Sequence, residues 1–166
     1  RMKKSMAVAG GVLALMVSSV ACAGWQTTTE DDIFSGGKSA SMLGEVSSSQ
    51  AIIFDCTADS LQLALVEKGK VGEGASELWS MLAKVDGGKI HRFETLQSQR
   101  NDKFIEFGTG EREEILSLLK DLRNAKSTLL LGLQAKNGGK WSGSANVNGS
   151  TKAVNDFVQA CNLKVE

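Results

Sequence analysis

The chain contains no proline and no tyrosine, has one histidine, and shows no excess of either charge. Without proline, its turns must be made by the 18 glycines together with Asn, Asp and Ser. Lys plus Arg equals Asp plus Glu at 19 each. No basic surplus is left to draw phosphate backbones or anionic lipid, and nucleic acid is not an expected partner. A single histidine, His91, supports neither a Ser/His/Asp relay nor a histidine-rich metal cluster. The glycine-rich loop at Gly69, Gly72 and Gly74 lacks both the Lys-Ser/Thr ending of a phosphate-binding loop and the dinucleotide-binding spacing. No cofactor is therefore expected.

What is present begins with a leader. Lys3 and Lys4 precede an apolar run from Met6 to Val20 that ends in Ala21-Cys22-Ala23. A charged start, an apolar middle and small residues before the cut are the layout of a secretory signal peptide. The run is interrupted by Gly10, Gly11, Ser18 and Ser19 and falls short of the roughly 20 apolar residues a membrane span needs. Residues 1–23 are read as the leader, and residues 24–166 as one exported domain, periplasmic or secreted from a bacterium. Ser19-Val20-Ala21-Cys22 also resembles a lipobox, which would make an acylated Cys22 the first residue and anchor the domain to a membrane surface. Without Arg1, Lys3 and Lys4, 16 basic side chains face 19 acidic ones.

Two cysteines remain after the leader, Cys56 and Cys161, an even number in an oxidising compartment, and a disulfide between them is expected. Such a bridge closes a loop of more than about 100 residues, for which loop entropy assigns about 4 to 5 kcal/mol.

Cys56 ends the apolar run Ala51-Ile52-Ile53-Phe54, read as a central strand over residues 50–56. Leu61, Leu63 and Leu65 alternate with Gln62 and Ala64, the period of a strand with one buried face, so 50–56 and 60–67 form a hairpin. Upstream, the threonines 27–29 suit an edge strand, Gly36-Gly37 a turn, and residues 38–45 a second strand. Asp86-Gly87-Gly88 is a hairpin signal joining strands at 76–86 and 89–97, and Asn137-Gly138-Gly139 is another between 127–134 and 141–147. Apolar residues recur at i, i+3, i+4 and i+7 from Ile115 and again from Val154, predicting amphipathic helices at about 110–124 and 151–162, the second capped by Ser150. The expected fold is α+β: antiparallel, mostly hairpin-connected sheet packed with these two helices.

Candidate chemistry is sparse. Glu30, Asp31 and Asp32 lack the spaced ligand loop of a calcium site and read as an acidic turn. Asp31, Asp32 and Asp86 could act as a carboxylate-based hydrolase only if the fold gathers them in a cleft. A small-ligand carrier would require an apolar cavity between sheet and helices. Trp141 and Trp25 are the side chains picked out for protein contacts.

Several of these features together resemble exported bacterial domains that include the type VI secretion accessory proteins called VasI or TagO. They are a chain starting near Trp25, an Asp-rich segment before Gly37-Lys38, a strand ending in Cys56, the Val85-Asp86-Gly87-Gly88 turn, and a final helix ending in Cys161. The chain departs from that pattern in lacking an upstream cysteine segment and in continuing Cys161-Asn162-Leu163 where the family ends Cys-x-Trp. The resemblance implies an exported, disulfide-linked α+β domain. The expected function is a non-enzymatic envelope binding or accessory protein acting through protein contacts, of secretion-accessory, inhibitor or prophage-exclusion type.

Overall fold

The computed structural model describes residues 24–72 and 77–166, so the leader, its cleavage point and Cys22 lie outside the described residues. The strands are β1 (Gln26–Asp32), β2 (Gly37–Ser47), β3 (Gln50–Cys56), β4 (Leu61–Lys68), β5 (Leu78–Val85), β6 (Ile90–Gln99), β7 (Phe104–Thr109), β8 (Thr128–Ala135) and β9 (Lys140–Asn146). The helices are α1 (Arg112–Arg123), between β7 and β8, and α2 (Ser150–Ala160), after β9. All nine strands form one curled antiparallel sheet in the order β1-β2-β3-β4-β7-β6-β5-β8-β9. The hairpin at 86–88 forms as expected: Asp86 and Gly87 both take positive φ, and the Gly88 amide donates to the Val85 carbonyl at 2.8 Å. That confirms residues 78–85 as strand.

Both helices pack on the same, inner face of the sheet. α1 buries Ile115, Leu118, Leu119 and Leu122, the stripe its periodicity marks, with Glu113 and Glu114 in its first turn and Lys120 and Arg123 in its last, complementing the helix dipole. α2 differs from expectation at its start. Gly149, at φ 77°, occupies the cap position, and Ser150 is the first helical residue. The Ser150 hydroxyl instead donates to the Leu122 carbonyl at 2.8 Å, and Thr151 donates to the Arg123 carbonyl at 2.8 Å. Two carbonyls at the end of α1 thus accept hydroxyls from the start of α2, which ties the two helices together.

The Cys56–Cys161 disulfide is present, with its Cα atoms 6.2 Å apart. Its setting follows from two periodicities. On β3, Phe54 and Cys56 point inward two residues apart, a rise of about 6.6 Å. On α2, Phe157 and Cys161 lie four residues apart, a rise of about 6 Å. The two pairs therefore match, with Phe54 edge-on to Phe157 at 6.2 Å and Cys56 bonded to Cys161. The space between sheet and helices is filled by side chains with no exposed surface, among them Met42, Ile52, Leu63, Met81 and Val154.

Curling brings β9 toward β2, and Trp25 closes the gap between them. Its amide donates to the Asn148 carbonyl at 2.9 Å and its indole N–H to the Asn146 carbonyl at 2.7 Å. The ring lies against Gly44, where a Cβ would meet indole carbons at 2.5 to 2.8 Å, and it packs on Phe54 at 6.3 Å. Only glycine fits under that ring.

Candidate functional site

The inner face is occupied, and the residues singled out for chemistry do not converge. Asp31 and Asp32 lie at the tip of the β1–β2 hairpin. Lys38 holds the Asp31 carboxyl below its ordinary range by a hydrogen bond and by its charge, and the Ser35 hydroxyl and then the Phe34 amide do so for Asp32. Asp86 sits in the separate β5–β6 turn. Its carboxylate accepts the amides of Lys126, Ser127 and Thr128 and the Ser127 hydroxyl at 2.6 to 2.9 Å. These bonds, the Thr128 and Lys126 amides foremost, hold it far below the usual carboxylate range. The three carboxylates fasten turns. Among the described residues, no group of three or more His, Cys, Asp or Glu is placed to hold a metal ion.

His91 has partners that sequence reasoning did not supply. It is fully buried on β6, with Nδ1 2.7 Å from Glu114 Oε1 and Nε2 2.7 Å from Asp121 Oδ2. Lys89 Nζ lies 3.5 Å from the same Glu114 oxygen. Both ring nitrogens are thus engaged by carboxylates of α1 at the buried seam between helix and sheet. The group clamps α1 onto β6.

Of the two tryptophans picked out for protein contacts, Trp25 is 5% exposed and part of the core. Trp141 is half-buried on the inner phase of β9, packed against the core with its indole over Gly143. Neither faces outward from the sheet.

The outer face of the sheet is different. With both helices inside, the far side of β2 to β7 is uncovered by any described helix. The strand registers put Leu43 beside Ile53, Ile53 beside Ala64, Ala64 beside Gly108, Gly108 beside Leu96 and Leu96 beside Leu78. One row of apolar residues therefore crosses six neighbouring strands, a length of about 24 Å at the usual strand spacing. Leu43, Leu78 and Leu96 are 41%, 42% and 47% exposed. A solvated sheet face ordinarily alternates to polar residues, and this row does not.

Arg100, from the β6–β7 hairpin, lies across this face. It donates to Glu106 at 2.8 Å and to Asp55 at 2.9 Å, and the Ser41 hydroxyl donates to Asp55 at 2.7 Å. Asp55 is paired with Gln62 and Glu106 with Val66, so the guanidinium joins partners on either side of β4. That bridging accounts for the burial of Ala64 and Val66, each 4% exposed although on the outer phase. Burial disfavours the charge on Arg100, but the bonds to the two carboxylates outweigh it and raise its pKa.

Two grooves adjoin the strap. An apolar one of about 380 Å³ runs between the β2–β3 and β6–β7 hairpins over Ala51, Ile53 and Val66, walled by Leu43 and Phe104. A hydroxyl-rich one of about 360 Å³ follows the row Thr28, Ser41, Asp55 and Gln62. The sequence signal for this surface is an apolar residue on the polar phase of a strand, as at Leu43 between Met42 and Gly44.

No family model, curated protein or solved structure matches this chain.

Proposed function

We propose that this is an exported protein of the bacterial envelope that binds another protein across the outer face of its sheet, along the row from Leu43 to Leu78. The observation that carries the reading is that row: six strands contribute apolar residues to one line on the face away from both helices. Its exposed apolar side chains lie in two adjacent pairs, Leu43 with Ile53 and Leu96 with Leu78, on either side of the Arg100 strap over Ala64. Apolar residues grouped in this way mark contact sites more often than single scattered leucines do. The buried disulfide between β3 and the end of α2 agrees with a chain matured in an oxidising compartment. The polar strap around Arg100 crosses the middle of the row and supplies hydrogen-bonding groups between its two apolar ends, the mixture typical of a partner surface. A secretion-accessory, inhibitory or exclusion role would use such a surface without catalysis.

The test is photocrosslinking in the native host from a benzoyl-phenylalanine at position 96, followed by binding measured with the purified captured protein. Leu78→Asp with Leu96→Asp should weaken that binding at least about tenfold. Because the two side chains are 42% and 47% exposed, a melt of the double variant, and the same binding test with Leu78→Ser and Leu96→Ser, separate lost contact from lost stability. Unchanged binding by the double variant would end the reading.

A further inference from the structure

The two most exposed large apolar side chains among the described residues are neighbours. Ile33 is 85% and Phe34 94% exposed, both at the tip of the β1–β2 hairpin. At that exposure neither side chain contributes apolar burial to the fold. The tip is held in its form by polar groups of its own. The Asp32 carboxylate accepts from the Phe34 amide at 3.0 Å and the Ser35 hydroxyl at 2.6 Å, and the Gly36 amide donates to the Asp32 carbonyl at 2.9 Å. Ile33 and Phe34 therefore stand in water on an ordered turn.

The surroundings of the pair are acidic. Glu30, Asp31 and Asp32 precede it in the chain, and Asp59, from the β3–β4 turn, lines the same hollow as Phe34. Over residues 30–38 and 57–60 these four carboxylates face one ammonium, that of Lys38, which is held by Asp31. The net charge of the two turns is 1 − 4 = −3. Glu30 and Asp59 are exposed, and neither side chain has a hydrogen bond or ion pair among the described residues. Their charge is free to act on whatever approaches the tip.

We propose that the tip is a preformed probe that seats Phe34 and Ile33 in an apolar cleft of another protein, one whose rim is cationic. Two observations select this partner. A side chain free on nearly every side is covered only by a surface that wraps it, so the partner is concave. Three net negative charges around the pair call for positive charge at the mouth of that cleft. A second copy does not supply it: the apolar groove of this protein has Glu45 in its wall, and its arginine, Arg100, is already bonded to Asp55 and Glu106. An anionic lipid surface would be repelled. Because the turn is ordered by Asp32, little conformational freedom is lost on docking. The contact is separate from the outer-face row, since Gly37 beside the tip and Leu43 at the end of that row lie about 20 Å apart along β2. One molecule can thus hold two partners at once.

The test places benzoyl-phenylalanine at position 34 of the full chain in the native host, identifies the crosslinked protein and measures binding rates with the purified pair. The partner should be basic, with an isoelectric point above about 9, and association should slow at least about tenfold as salt rises from about 0.05 to 0.5 M. The two features of the tip should separate kinetically. Glu30→Gln with Asp59→Asn should slow association at least about threefold and leave dissociation nearly unchanged. Phe34→Ser should speed dissociation at least about tenfold, and Phe34→Leu should restore most of the loss. These side chains lie outside the bonds that hold the turn, and a thermal melt of each variant confirms that it is folded. No protein adduct from position 34, an acidic partner, association indifferent to salt, or dissociation unchanged in Phe34→Ser overturns the inference. So does binding of the wild type, lost in Phe34→Ser, to vesicles of phosphatidylcholine or phosphatidylglycerol, which would make the tip a lipid anchor.

Discussion

The indole N–H of Trp25 donates to the main-chain carbonyl of Asn146 at 2.7 Å, across 121 residues of sequence. This bond and the packing of the same ring on Gly44 close the curled sheet where no strand ladder does. Trp25→Phe keeps most of the buried area and loses the bond, so it should cost about 1 kcal/mol. Trp25→Ala should cost about 3 to 5 kcal/mol. Gly44→Ala places a methyl group inside the indole's volume and should cost about 1 to 3 kcal/mol. Urea denaturation of the three variants gives the order. A Trp25→Ala protein as stable as wild type would show that the sheet closes without it.

Asp86 sets an acid limit on the fold. Its folded pKa lies below the ordinary carboxylate value because the charged form collects the amides of Thr128 and Lys126 and the Ser127 hydroxyl and amide. A depressed folded pKa contributes stability that is fully present above the unfolded value near pH 4 and is lost as pH falls through the folded value. Asp86→Asn keeps a residue that tolerates the φ of 50° but removes the charge. Melting midpoints of wild type and variant should differ most near neutrality and converge below about pH 4. A gap that stays constant into strong acid would contradict the assignment.

His91→Ala leaves Glu114 and Asp121 facing a void without their shared donor. Both carboxylates reach solvent at about one-third exposure, which softens the loss, and a cost of about 2 to 4 kcal/mol is expected. Because α1 is held to β6 at this point, amide exchange should quicken first in residues 112–123. Glu114→Gln retains one oxygen acceptor toward Nδ1 and should cost less. Uniform exchange across the chain in His91→Ala would argue against a local clamp.

Much of the architecture was readable before the structure because its signals are local. The turns Asp86-Gly87-Gly88 and Asn137-Gly138-Gly139, the alternation around Leu61 to Leu65, and the helical spacing at Ile115 and Val154 each lie within a dozen residues. Ser150 misled because a serine ahead of an apolar run reads as a cap, whereas the preceding glycine takes the left-handed cap and frees the hydroxyl to reach Leu122. The outer row was hidden for another reason. Ile53 lies within an apolar run that conceals which phase faces out, and its neighbours Ala64, Gly108 and Leu96 line up with it only once three registers are fixed. The partners of His91 were hidden too: Glu114 and Asp121 share one face of α1, but nothing local assigns that face to β6.

The last helix completes the first strands. Thr27 of β1 donates to the Ala153 carbonyl at 2.6 Å, and Cys56 of β3 is bonded to Cys161. A chain made from its N-terminus therefore carries β1 to β3 with Phe54 and Cys56 lacking their partners Phe157 and Cys161 until the segment of α2 has been made. Contacts of such sequence separation form slowly. The interval before α2 arrives is when the chain is open to aggregation and to proteases. A chain that stops before Ser150 has no means of ending that interval.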